Sequence, residues 1–143
     1  MRRFLIFALT LGISLPIAGC SQKKESSSDP VIVETLISAT ESWNGDSFKY
    51  PRGKAEMTLQ RITAKPGFKT PLHSHPQPGI AYVVKGTLAC ETNDGQSLKA
   101  SPGYSFASPQ GTIHYCENIG NDEAIIFVAS AGAKGQETTI LNK

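Results

Sequence analysis

Charge of one sign is missing from this sequence. The formal net charge of the 143 residues is +2, and Arg2 and Arg3 account for it, since the other 12 basic residues meet 12 acidic ones. A balanced chain offers no electrostatic footprint for nucleic acid. Long apolar runs are missing too. No segment reaches the roughly 20 apolar residues of a comfortable spanning helix, which excludes a multi-span membrane protein. There is no glycine-rich phosphate loop, no nucleophile triad, no telling pair of carboxylates and no repeat at a solenoid period. Histidine is scarce, with three in the whole chain, and tryptophan occurs once. Disorder is nevertheless excluded, because 39% of the residues are hydrophobic and only 18% are charged. The length suits one domain. What the chain has in quantity is turn formers, 13 Gly and 9 Pro, as expected of many short strands.

The first residues read as an address rather than as structure. Met1-Arg2-Arg3 is a short basic stretch, and Phe4 to Ile17 is an apolar run broken by Thr10, Gly12, Ser14 and Pro16. That is the build of a secretory signal. Ile17-Ala18-Gly19 directly before Cys20 resembles the bacterial lipobox. The resemblance implies a signal peptide over residues 1–19 and a lipid on Cys20. A plain cleaved signal with a chance cysteine is the alternative. Residues 20–30 then comprise the lipidated cysteine and a run, Ser21 to Pro30, with no apolar side chain to pack, which is expected to be a flexible tether. The expected location is the cell envelope, facing the periplasm, with the lipid anchor as the sole membrane contact. Ser21 after the cysteine, rather than Asp, points to the outer membrane if the source is Gram-negative. With Cys20 acylated, Cys90 and Cys116 remain as an even pair in an oxidising compartment. A disulfide and two buried free thiols are both open.

Residues 31–143 are expected to be the folded domain with an N-terminal arm. Val31-Ile32-Val33 and Leu36-Ile37 are apolar enough for a strand or a packing segment, and Glu41 to Asp46 and Tyr50 to Gly53 read as turns. Glu56 to Thr63 alternates with period two, as a half-buried strand does. Further strands are expected at Ile80–Val84, Thr87–Thr92, Gln96–Ala100, Tyr104–Ala107, Ile113–Cys116 and Ala124–Ala129, with a hairpin at Asn93-Asp94-Gly95. No stretch after residue 40 keeps a helical period over three turns. Short strands at regular spacing mean a sandwich or a barrel.

The histidines carry the functional reading. His73 and His75 are two apart, so an extended backbone turns both rings to one face, where two imidazoles can meet one metal ion. Alone, such a pair is weak evidence, since many are solvated surface residues. The flanking residues add specificity. Gly67, five residues, His73, one, His75, three, Gly79, six and Gly86 resembles the first cupin motif, with Gly79 where that motif has a glutamate. Gly103, five residues, Pro109, one, Gly111, two, His114, three and Asn118 resembles the second motif at every fixed position. The resemblance spans roughly residues 55–130. It implies an all-β fold, a single antiparallel cupin barrel of jelly-roll type, with His73, His75 and His114 converging at one mouth. Gly67, Gly86, Gly103 and Gly111 would take positive φ or allow close approach.

The resemblance also implies a divalent metal ion on three neutral imidazoles. With Gly79 supplying no carboxylate, the ion keeps its full charge and has three open positions if octahedral, one if tetrahedral. Such a site favours a small anionic ligand or substrate. Fe(II) is the first choice, by analogy with three-histidine thiol and diketone dioxygenases of this superfamily, while Zn, Mn, Ni and Cu suit imidazole as well. Gln77 between Pro76 and Pro78 is a candidate further ligand. Tyr82 and Tyr104 are candidate pocket residues, and Cys116, two residues past His114 on the same face, is a candidate neighbour of the site. Trp43 is expected to cover an edge or end of the barrel. Three functions fit: a metal-dependent oxygenase or isomerase of a small organic anion, a non-catalytic envelope module holding a metal–ligand complex, or a structural lipoprotein whose site has decayed. A homodimer through edge strands is also expected.

Overall fold

A computed structural model describes residues 30–142. The expectations for the signal segment, Cys20 and most of the tether fall outside the described residues. Between Pro30 and Thr40 no strand forms, so the apolar positions of the arm do not make the strand they permit.

Among the described residues there are nine strands and no helix. They are β1 (Ala55–Ala64), β2 (His73–Ser74), β3 (Gly79–Lys85), β4 (Leu88–Thr92), β5 (Ser97–Ala100), β6 (Ser105–Ser108), β7 (His114–Asn118), β8 (Ala124–Ala133) and β9 (Ile140–Leu141). One sheet has the order β1-β8-β3-β6 and the other β5-β4-β7-β2-β9, with antiparallel neighbours throughout. The expected antiparallel cupin jelly roll is found, as two facing sheets rather than a continuously hydrogen-bonded barrel. The outer edge of β6 is closed by the arm, where the Trp43 amide donates to the Ala107 carbonyl at 3.0 Å.

Strand parity separates the two faces of each sheet. On β3 the inward positions are Gly79, Ala81 and Val83; on β8 they are Ala124, Ile126, Val128 and Ser130. Val83, Phe106, Leu88 and Ile126 anchor the core, and Trp43 packs against it. Each fully buried side chain of this size contributes about 1.5–3 kcal/mol. Gly86 shows why its motif position is a glycine. Its φ is +82°, and a Cβ there would lie 2.6 Å from the backbone of Ala124. The other motif glycines, Gly67, Gly103 and Gly111, also take positive φ. Asn118 is buried because its amide donates to the carbonyls of Ala64 and Asp122 while its oxygen accepts from the Gly120 amide.

In β1 the alternation breaks at Gln60-Arg61, which puts Ile62 on the opposite face from Met57 and Leu59, and the strand is exposed along most of its length rather than half-buried. Ile62 and Gln60 point inward, whereas Met57 and Leu59 are 70% and 71% exposed on the outside. The inner face of β1 borders a cavity rather than a dry core, so it tolerates a polar side chain. Two elements escape the periodicity altogether. β2 and β9 are two-residue strands that pair with each other, too short to show any pattern.

Candidate metal centre

The three histidines are brought together by the five-stranded sheet. His73 on β2 lies directly across from His114 on β7, and His75 follows one residue after β2. The ring centroids stand 4.4 Å apart for His73 and His114, 5.0 Å for His73 and His75, and 5.1 Å for His75 and His114. One nitrogen from each ring falls within 4.8 Å of the others. The turn before β7 is fastened to His75, because the Gly111 amide donates to the His75 carbonyl at 2.8 Å. Gly111, at φ +79°, lets the chain reverse there.

Each ring is held by a backbone oxygen. Nδ1 of His73 bonds the Pro71 carbonyl at 2.8 Å, that of His75 the Thr138 carbonyl at 2.8 Å, and that of His114 the Thr112 carbonyl at 2.9 Å. A carbonyl can only accept, so every Nδ1 carries a proton and Nε2 is the ring atom left for a ligand. This is how metal-binding imidazoles are oriented and fixed in one tautomer. Burial lowers the pKa of His75 and pushes that of His114 down to about 4, against the opposing effect of these carbonyl bonds. The donor set therefore fits a divalent ion, which the three imidazoles would bind through Nε2.

Between the sheets lies a cavity of about 290 Å³ that the three histidines border. Ile62, Phe68, Leu88, Phe106, Ile126 and Val128 form much of its wall, and no Asp, Glu, Lys or Arg lines it. Gly79 also lines it, so the position without a carboxylate does face the cavity.

The remaining candidates divide. Gln77 is 2% exposed and borders the cavity; its Nε2 donates to the Thr138 carbonyl at 3.3 Å, and its buried Oε1 has no partner. Cys116 lines the cavity as half of a disulfide with Cys90, the two facing each other across β4 and β7. Of the two open alternatives, the cross-link is the one found. The expectation that Tyr82 and Tyr104 line the pocket is corrected. Tyr82 has the outward parity of β3, opposite to Ala81 and Val83, and Tyr104 sits before β6 with 47% of its surface exposed. Trp43 covers the β6 edge and in addition lines the cavity.

Several contributors have no sequence signature. Thr138 supplies one carbonyl to both His75 and Gln77 from 61 or more residues away. Ser108 and Ser130 line the cavity on either side of Gly79. Strand parity alone would have turned Ser130 inward, but nothing distinguishes it from any other serine until the register is known.

Comparison with known proteins agrees with this geometry. Residues 60–130 match the family model described as a cupin domain. Two germin-like proteins of Arabidopsis thaliana, subfamily 1 member 7 and subfamily 2 member 1, are each 34% identical to this chain, over 90 and 80 residues. Those stretches are 57% and 51% of this chain but only 39% and 36% of the relatives' length. Among solved structures, a DMSP lyase from Ruegeria pomeroyi superposes with a TM-score of 0.52 at 17% identity, over 60% of this chain and 43% of that one. An oxalate decarboxylase from Lactobacillus farciminis gives 0.52 at 21% identity, over 59% and 26%. A cupin-like protein from Thermotoga maritima gives 0.51 at 17%, over 60% and 64%. At such identities the likeness is one of fold. Motifs, sheets and family match converge: residues 60–130 match a cupin domain, and the fold brings together a three-histidine cluster suited to a divalent metal ion.

Proposed function

We propose that this protein is a metal-dependent oxygenase or isomerase of a small organic anion. The observation that carries the reading is the cluster of three imidazoles at the wall of a cavity lined by no Asp, Glu, Lys or Arg. A divalent ion held by His73, His75 and His114 would supply a Lewis acid with open coordination positions. The chain's own part is to present three Nε2 atoms, fix them through the Pro71, Thr138 and Thr112 carbonyls, and line the site with mainly apolar side chains. No cation lines the cavity to compete for an anion, so the ion is its one positive charge. Fe(II) is the first ion to test, with Zn, Mn, Ni and Cu as alternatives the donor set accepts.

One observation favours a non-catalytic binding module instead. Apart from the histidines, no lining side chain titrates near neutrality, so general acid–base chemistry has no evident agent. Metal analysis of protein isolated anaerobically, followed by incubation of the loaded protein with small carboxylates and enolisable ketones, separates the readings. Conversion with turnover supports the enzyme, while stoichiometric retention of an unchanged ligand supports the module. Absence of any bound metal, and failure of divalent ions to bind in vitro, would overturn both.

The proposed setting is the cell envelope, through a lipid on Cys20. The Cys90–Cys116 disulfide supports an oxidising compartment. Cys20→Ser should release the protein from membranes or leave the precursor uncleaved; unchanged processing and membrane association would exclude the anchor.

A further inference from the structure

The wall opposite the histidines carries a row of hydroxyls. Reading across the four-stranded sheet at one register, Thr58 of β1 faces Ser130 of β8, Ser130 faces Gly79 of β3, and Gly79 faces Ser108 of β6. Ser130, Gly79 and Ser108 all border the cavity. Ser130 and Ser108 are 7% and 9% exposed, and Thr58 Oγ1 is buried without a hydrogen-bond partner. The glycine at the centre keeps the row open. A Cβ on Gly79 would stand 3.2 Å from Ser130 Oγ and 3.3 Å from the Ala129 carbonyl, so any side chain there would crowd that hydroxyl.

Next to this row lies an acceptor that lacks a donor. Gln77 packs over β8 at Gly132, where a Cβ would come within 3.7 Å of Gln77 Cγ, and Gly132 is two residues beyond Ser130 on the same face. Its amide nitrogen is committed to Thr138, while Oε1 is buried and unpaired. A buried acceptor without a partner costs about 1–3 kcal/mol, and Oε1 is closed off from the cavity as it stands, so an occupant toward which the amide turns would supply the missing donor.

We propose that this row and Gln77 form a specificity subsite for an uncharged hydroxyl at the far end of a monoanionic substrate. The proposal rests on the preceding reading, in which the anionic end goes to the metal. A hydroxyl can accept from a serine and donate to Gln77 Oε1, using both kinds of group the wall offers. A second carboxylate can accept from a serine but cannot donate. It has no proton for Gln77, and no cation lines the cavity to offset its burial. An alkyl terminus leaves the wall unsatisfied. The subsite thus selects hydroxy acids over both the plain acids and the dicarboxylic acids of equal length.

The experiment is calorimetric titration of the zinc-loaded protein with ω-hydroxy, unsubstituted and dicarboxylic acids of three to five carbons. At the best-fitting length the hydroxy acid is expected to bind about fivefold or more tightly than the unsubstituted acid, the worth of one net hydrogen bond. In Gln77→Leu that preference should vanish, and in Ser108→Ala with Ser130→Ala it should vanish while affinity for the unsubstituted acid and for zinc is retained. Tightest binding of the dicarboxylic acid, or an undiminished hydroxy-acid preference in both variants, would overturn the subsite. Zinc is titrated first and separately, so failure of the metal reading shows as absent zinc binding, whereas failure of the subsite shows as lost discrimination on a loaded protein.

Discussion

Asp46 accepts a hydrogen bond from the hydroxyl of Thr112 at 2.6 Å, across 66 residues of sequence. The bond joins the arm to the site, because the Thr112 carbonyl is the group that holds the His114 ring. It also keeps the Asp46 pKa low, with the Asn44 amide as a second cause. Thr112→Val is therefore expected to loosen His114 without removing a ligand. Metal affinity should fall by about tenfold, the lower end of what outer partners of metal-binding histidines are worth. Competition against a chromogenic chelator measures it, with Asp46→Ala expected to give a similar loss.

Low pH should destabilise the metal-free protein. His114 has a folded pKa of about 4 against an ordinary 6.5, so the unfolded chain binds the extra proton throughout that window. Stability is then complete above about pH 6.5 and is lost as the pH falls toward 4, by up to about 3 kcal/mol for this ring. The buried His75, lowered in the same direction, adds to the effect. Denaturant midpoints of the chelator-treated protein at pH 7.5 and 4.5 give the slope, and His114→Ala should flatten it.

Removing the Cys90–Cys116 bond should cost about 2–4 kcal/mol, the usual worth of a native cross-link. Urea unfolding with and without reductant measures it. The Cys90→Ala, Cys116→Ala protein should match the reduced wild type and be insensitive to reductant.

Gly79→Glu tests the role of the missing carboxylate. The position faces the cavity, so the new side chain is expected to tighten a divalent ion and to weaken acetate binding to the loaded site. Because Ser130 Oγ would lie 3.2 Å from the new Cβ, the hydroxyl must turn aside, and Gly79→Glu with Ser130→Gly is the companion variant. Unchanged metal affinity in both folded variants would show that residue 79 does not reach the ion.

The outer edge of the four-stranded sheet is expected to pair with a second copy. β1 is ten residues long, has β8 as its only strand neighbour among the described residues, and exposes Met57 and Leu59 on its outer face. Such an edge is a template for association. Light scattering should report a dimer at micromolar concentration, and Leu59→Lys should shift it toward the monomer.

The longer strands are legible in the sequence because their alternation and their turn residues agree, as at β3, β4 and the hairpin at Asn93 to Gly95. The histidines are legible because spacing and motif glycines both bear on them. What stays hidden depends on register. Alternation says that Met57 and Gln60 lie on opposite faces but not which face meets the cavity. Tyr82 is misplaced for the same reason, since its parity matters only once β3 is known to turn Gly79 and Ala81 inward. The carbonyl of Thr138 could not be foreseen at all. A backbone oxygen has no residue type, and its loop reaches His75 only through the two-residue pairing of β2 with β9.

The disulfide joins β4 to β7, neighbours within one sheet, and so fastens the wall that bears His114 to itself. Among the described residues no disulfide ties that wall to the other, and the chain's own crossovers are the covalent links between them. The domain is in this respect a vice with one hardened jaw. The jaw that bears the histidines is locked by a bond, while the spacing to the opposite jaw is set by the chain crossovers, the Asn118–Ala64 hydrogen bond and apolar contact, chiefly Phe106 and Ile126 against Leu88. The size of guest the protein admits is then governed by substitutions in that apolar seam, which can widen or narrow the opening while the grip on the ion stays as it is.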